Sequence, residues 1–410
     1  MDSKLYLALS FAMFMEYAIW GAWMPVLAAR LLGPLKMSGK QTGWIYATLP
    51  LACIFMPLVS GQLADKYVNT EIILAVAHLI GAVLMFVAVR KTTFKSLFLV
   101  MFLYCLCFAA TLPLVNSLML YHLAKNNLDP AVHSKWIFFW APVSWALIGY
   151  CLTGWRWKFK TGEQGRDCLY LAAILSVIMG IGCFFMPDTP PAEAGTPPTL
   201  QTIDPQPDEA ETAPILQAMG MLKEFNFLIF IIVSMIFFGL MQFYFLGTAQ
   251  FMQDMGISAK NVPASMAIAQ GVQAIATLLL MALLLGSLGP KWTLIVGATF
   301  WLLLYIVYIK EKPRWLIVIS QSFHGLAYVL FVIVGQIFAN SVAKDEIRAS
   351  VQSLLFAATT GVGLFLGTQF AGFIMDKFRK EEKFQWRQIF MVPGVIALVS
   401  ILLFILFFKG

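Results

Sequence analysis

The sequence predicts an all-α membrane protein of about twelve transmembrane helices in two six-helix bundles. Three observations predict it. The first is composition. Of 410 residues, 60% are hydrophobic and 12% charged, with a mean hydropathy of +0.80. A soluble domain carries about twice that charged share. The second is length. Apolar runs of about 20 residues recur, enough to cross hydrocarbon, where a helix alone satisfies its own backbone. The third is one hydrophilic stretch, residues 187–223. It is rich in proline, holds Asp188, Glu193, Asp204, Asp208, Glu209 and Glu211, and has no Lys or Arg before Lys223. Such a segment buries too little apolar surface to fold alone and reads as a tether.

The elements follow in order. The first bundle, residues 1–186, is expected to hold helices at 5–32 (kinked at Pro25), 42–63, 71–89, 97–123, 135–153 and 168–186. The tether takes 187–223. The second bundle, residues 224–410, is expected to hold helices at 226–252, 263–288, 292–309, 315–342, 348–375 and 386–408. Connections are short, which predicts that successive helices are antiparallel neighbours. Trp44, Trp136, Trp155, Trp157, Trp292, Trp315 and Trp386 fall at span ends, as an interfacial belt requires. The first run is too long for a signal-peptide core and is read as an uncleaved helix.

The formal net charge is +7, but it is spread over short loops. No basic cluster tracks a nucleic acid, and lipid headgroups are the expected neighbours. The six cysteines lie in or beside apolar runs, with no metal spacing and no disulfide framework, so they read as buried thiols. GxSxG, HExxH and Walker A patterns are absent from the sequence. An enzyme is therefore not expected, nor a metal or cofactor. Transport driven by ATP is not expected either.

Helix two ends in Gly61-Gln-Leu-Ala-Asp65-Lys66. The pattern G-x-x-x-D-[RK] in a six-plus-six chain resembles the short loop motif of the major facilitator superfamily. Gly61 would permit a close helix approach, Asp65 would cap a neighbouring helix, and Lys66 would mark the membrane surface. A similar Gly372-Phe-Ile-Met-Asp376-Lys377 ends helix eleven, on the opposite side in this topology, and is not counted as a second copy. A closer resemblance runs through IWGAW (19–23), ADK (64–66), HLIGA (78–82), LPLVNS, Tyr121-His-Leu123 and EIRASVQ (346–352). These segments resemble the bacterial nucleoside:proton symporters of that superfamily, the nucleoside and xanthosine permeases.

The resemblance implies a major facilitator fold and nucleoside uptake by proton symport, with alternating access around a midplane site. It also implies a multi-pass protein of the inner membrane with both termini cytoplasmic. The charge bias of the loops, taken alone, places the N-terminus outside. By position, Gln242 and Gln270 match glutamines of the family site, where an amide offers both donor and acceptor to a base edge or ribose hydroxyl. Phe138 stands where the family has an arginine, Phe245 for an asparagine, Gln273 for a glutamate and Val329 for an aspartate. Family aromatics fall near His324 and Tyr328. Substrate contacts are thus expected from Gln242, Gln270, Gln273, His324, Tyr328, Phe138 and Phe245.

Ionisable groups inside a membrane are costly and mark cavities or partners. Glu16 reads either as a proton-binding carboxylate or as a structural one hydrogen-bonded to a neighbouring helix. His324 is the second proton-coupling candidate. His78 reads as a structural contact across helices, Asn116 as a residue that knits helices, and His122 and His133 as solvated loop-flanking groups. The function expected is a secondary transporter for a small solute, nucleosides first, acting as a monomer in the bilayer. The alternatives are a uniporter or permease for another neutral solute, such as a sugar or nucleobase-like ring, or a non-transporting receptor of the same fold.

Overall fold

A computed structural model describes residues 1–191, 214–344 and 347–409. Much of the expected tether, and Glu346 of the EIRASVQ motif, therefore lie outside the described residues. Eighteen α-helices are seen among them, with one two-residue hairpin, β1 (Arg379–Lys380) paired to β2 (Lys383–Phe384). Eleven helical stretches are long and apolar enough to cross a membrane, and a shorter apolar helix spans Asp167–Cys183. The chain divides into two compact units. One is Met1–Met37, Trp44–Thr202 and Ala259–Ala267; the other is Ser38–Gly43, Ile203–Ser258 and Ile268–Gly410.

The first unit opens with α1 (Ser3–Trp23) and α2 (Leu27–Leu32), separated where Pro25 interrupts the run. α3 (Gly39–Lys66) carries Pro50 and Pro57 inside it and enters this unit from Trp44 onward. α4 (Thr70–Arg90), α5 (Phe94–Lys125), α6 (Pro130–Phe138), α7 (Trp140–Phe159) and α8 (Asp167–Cys183) complete it. Sequence order is not packing order. α1 lies mainly against α7 and α8, and α4 against α8 and α5. The short loops make consecutive helices antiparallel, but they do not decide which faces meet.

Polar clips hold the loops of this unit. Arg156 and Asp167 form a buried bidentate pair, Nε to Oδ2 and Nη2 to Oδ1, both 2.8 Å. Arg156 Nη1 also donates to the Ala259 carbonyl at 2.8 Å. His122 is buried rather than solvated: its Nε2 lies 2.9 Å from Thr189 Oγ1. Thr189 N–H donates to Glu71 Oε2, and Thr189 C=O accepts from Thr70 N–H. These bonds fasten the start of the expected tether to α4 and α5, so the apparent loop histidine is an internal one. Asn116 does not knit helices. Its Nδ2 donates to Leu112 C=O of its own helix.

The second unit contains α9 (Pro214–Gly220), α10 (Phe225–Asp254) and α11 (Val262–Leu279), the last from Ile268 onward. α9 falls inside the stretch read as tether, where ILQAMGML restores an apolar pattern, and it packs on the helix at Arg348–Phe356. α12 (Met281–Lys310) breaks at Gly289, whose φ is 71°, ahead of Pro290. α13 (Arg314–Ile319), α14 (Gln321–Ala327), a π-helical stretch (Tyr328–Ile333) and α15 (Val334–Val342) make one span. α16 (Arg348–Phe356), a second π-helical stretch (Ala357–Gly363) and α17 (Leu364–Lys377) make the next, and α18 (Trp386–Phe407) the last. α12 packs on α18 and α14, and α10 on α17.

The two glycine–aspartate motifs behave opposite to expectation. A Cβ on Gly61 would meet nothing within 4 Å, and Asp65 and Lys66 are exposed. Gly61 thus makes no close helix approach, and Asp65 caps no helix among the described residues. The copy ending α17 is engaged. A Cβ on Gly372 would collide with the Gly39 carbonyl, and Asp376 accepts from the N–H groups of Gly39 and Lys40, the latter at 2.9 Å. A carboxylate there satisfies orphan donors at the α3 N-terminus and faces its positive dipole end.

Candidate functional site

In the second unit, α10 and α14 bring aromatic rings and amides together. Gln242 and Phe245 are three residues apart on α10 and therefore share a face; both are buried. Gln242 makes no hydrogen bond among the described residues. Gln270 and Gln273 share a face of α11 in the same way. Gln270 is half-buried with an unpaired amide, and Gln273 is 8% exposed with Oε1 buried and unpartnered. A buried amide oxygen without a donor costs about 1–3 kcal/mol. Such a group is a ready acceptor for a ligand hydroxyl or N–H.

α11 and α14 touch at Gly325. A Cβ there would collide with the Ala269 carbonyl oxygen and sit 3.0 Å from the Gln273 backbone nitrogen. Only a residue without a side chain permits this approach, which brings α14 against α11 between Ala269 and Gln273. Tyr328 is half-buried and opens the first π-helical stretch. π-turns are frequent at functional sites because they re-aim one side chain within a continuous helix. Val329 is fully buried in an apolar cluster with Ala276 and Leu330.

His324 is 1% exposed. Tyr244 stacks on it with ring centroids 4.0 Å apart and 6° between planes, and Phe245 meets it edge-on at 5.8 Å. Trp301 Nε1–H donates to His324 Nδ1 at 3.2 Å. An indole only donates, so Nδ1 carries no proton and the ring is the neutral Nε2–H form. Tyr244 and Trp301 were not among the expected contacts. The helical spacing of Tyr244 gives no sign of stacking, because its partner lies about 80 residues along the chain.

The first unit holds the other candidates. Phe138 is the last residue of α6, next to the break before α7, and is 39% exposed. Glu16 on α1 is completely buried. Its Oε2 lies 3.0 Å from His78 Nε2 on α4, and its Oε1 accepts from Thr111 Oγ1 on α5 at 2.7 Å. Sequence reading noted Glu16 and His78 separately and missed Thr111, since nothing in the sequence pairs positions 62 and 95 residues apart. Among the described residues no cluster of three or more His, Cys, Asp or Glu side chains could hold a metal ion.

The family model for the nucleoside H+ symporters matches residues 3–410. The chain belongs to that family. It is 25% identical over 419 residues to the nucleoside permease NupG of Escherichia coli (strain K12), covering 99% of this chain and 96% of that protein. It is 24% identical over 408 residues to the xanthosine permease of the same organism, covering 97% and 94%. A crystal structure of the nucleoside transporter NupG superposes with a TM-score of 0.83 at 24% identity over the whole of both chains. A D-xylose-proton symporter superposes at 0.71 and 14% identity, covering 98% and 97%. The symporter family therefore has the major facilitator fold here, in a multi-pass membrane transporter.

Proposed function

We propose that this chain imports nucleosides across the inner membrane by proton symport, as a monomer with both termini cytoplasmic and with alternating access around a midplane site. The observation that carries the substrate reading is the unpaired amide set. Gln242 shares a face of α10 with Phe245, and Gln270 and Gln273 share a face of α11, the helix that meets α14 at Gly325; the three offer amide donors and acceptors. Base edges and ribose hydroxyls present the complementary groups. Apolar rings, Tyr328 and Phe245 among the candidates, would take the flat faces of the base. His324 serves in this reading as a neutral Nε2–H donor in the wall. The family name and the named relatives agree with this class of substrate.

The test is uptake of labelled uridine and adenosine into proteoliposomes. Accumulation of either, rising with an inwardly directed pH gradient, is expected. Failure of both to enter, while another solute does, would overturn the nucleoside reading. A second reading, gradient-independent uniport of an uncharged solute, is favoured by one observation: Val329, packed with Ala276 and Leu330 in an apolar cluster, offers no proton-binding group of its own. Equilibration to the same level with and without the gradient would select it.

A further inference from the structure

In the second unit Trp301 occupies His324 Nδ1, so that ring is not open to a further proton there. The first unit offers a different arrangement. Glu16 is sealed from solvent, yet both carboxylate oxygens have partners, one from α4 and one from α5. Burying an isolated carboxylate costs several kcal/mol, so the partners decide which protonation states the site tolerates.

Thr111 supplies the telling geometry. Its hydroxyl lies 2.7 Å from Glu16 Oε1 and also 2.7 Å from the Phe108 carbonyl oxygen. A hydroxyl has one hydrogen and two lone pairs, so it cannot donate in both directions at once. With Glu16 ionised, Thr111 donates to Oε1. With Glu16 protonated on Oε1, the carboxylic O–H donates to Thr111 Oγ1, whose own hydrogen turns to Phe108 C=O. His78 Nε2–H donates to Oε2 in both states. One proton enters or leaves, one hydroxyl rotates, and no buried donor is stranded.

The surroundings fit an exchangeable charge. Tyr104 on α5 and Cys183 on α8 lie within electrostatic reach of Glu16. Glu71 on α4 is committed to Asn69 and Thr189. α7 turns Trp145 toward α1 at Gly21, and α6 carries Lys135 out over the Trp136 ring.

We propose that Glu16, His78 and Thr111 form the proton-carrying site of this transporter, with Glu16 Oε1 as the atom that takes the proton and Thr111 as the rotor that keeps both states hydrogen-bonded. The inference rests on the proton-coupled reading above and gives it an address in the first unit. A fixed His78–Glu16 ion pair is the competing arrangement, and it would exchange no proton.

The test uses the purified full chain in lipid and needs no substrate. Infrared difference spectra are recorded between proton-loaded and proton-depleted states of the protein. A protonated-carboxyl band that is present in the first and absent in the second is expected. It should vanish in Glu16→Gln, move to higher frequency in Thr111→Val, which removes the hydroxyl, and stay in place in Thr111→Ser, which keeps it. If Glu16→Gln does not fold, the Thr111 pair decides alone. Absence of a titrating band, or a band unmoved in Thr111→Val, would overturn the proposal. In proteoliposomes, Glu16→Gln should lose pH-driven uridine accumulation and keep uridine exchange. Accumulation equal to wild type would also overturn it. A wild-type protein with the band intact that moves no uridine would instead sink the nucleoside reading and leave the proton site standing.

Discussion

Three glutamines separate into different chemical situations once their neighbours are known. Gln242 and Gln270 have unpaired amides, whereas Gln273 has its oxygen buried without a donor. Replacing Gln273 with Leu removes an acceptor that the empty protein does not use. The free protein should be unaffected or slightly stabilised, and a ligand donor would lose its partner. Binding of the preferred nucleoside is expected to weaken by about 1–3 kcal/mol, roughly fivefold to 150-fold. Titration calorimetry on the detergent-solubilised protein, with a parallel melt, reads both effects. Unchanged affinity would remove Gln273 from the site. At this scale the sequence was most informative for residue types and least for their partners. Glu16 and the glutamines stood out because polar groups are rare in apolar runs. Thr111, Tyr244 and Trp301 did not, because a threonine or an aromatic in a membrane helix is ordinary until a distant side chain meets it.

Elements were read well where composition alone sets them and poorly where backbone detail does. Pro25 does separate α1 from α2, and the apolar runs became helices close to their expected limits. The two π-helical stretches carry no such signal, since YVLFVI and AATTGVG are acceptable α-helix sequences. The paired motifs show the same division. Identical spacing marks Gly61–Asp65 and Gly372–Asp376, yet only the second finds a helix N-terminus to cap. Asp376→Ala should therefore cost about 1 kcal/mol as a lost N-cap, while Asp65→Ala should leave stability within about 0.5 kcal/mol, as exposed substitutions usually do. Gly372→Leu should cost more than either, because the Gly39 backbone cannot withdraw. Thermal unfolding of the three variants in one detergent checks the order, and an Asp65 variant as destabilised as the Asp376 one would contradict it.

For the whole molecule, the six-plus-six count was legible because hydrocarbon thickness fixes span length. Packing partners were not, since α1 lies mainly against α7 and α8, distant in sequence. The compact units place Ser38–Gly43, at the start of α3, in the second unit and Ala259–Ala267 in the first. Loop charge and family resemblance give opposite answers on sidedness. Protease added outside sealed right-side-out vesicles should spare the tether if it is cytoplasmic, and cleavage there would reverse the proposed orientation. Deleting residues 193–211 should leave uptake near the wild-type rate, because the anchored Thr189 and the helix α9 both remain. Loss of transport would give that stretch a role beyond tethering.

The π-helical turns have a further consequence for motion. Each holds one residue more than an α turn needs, so its slack can pass along the helix by exchanging hydrogen bonds one at a time. Every residue the slack passes swings by about 100° around the axis. Tyr328 stands at the start of one such stretch and Thr359 lies inside the other. At these points a helix can present a new face toward a solute without melting, unpacking or lengthening.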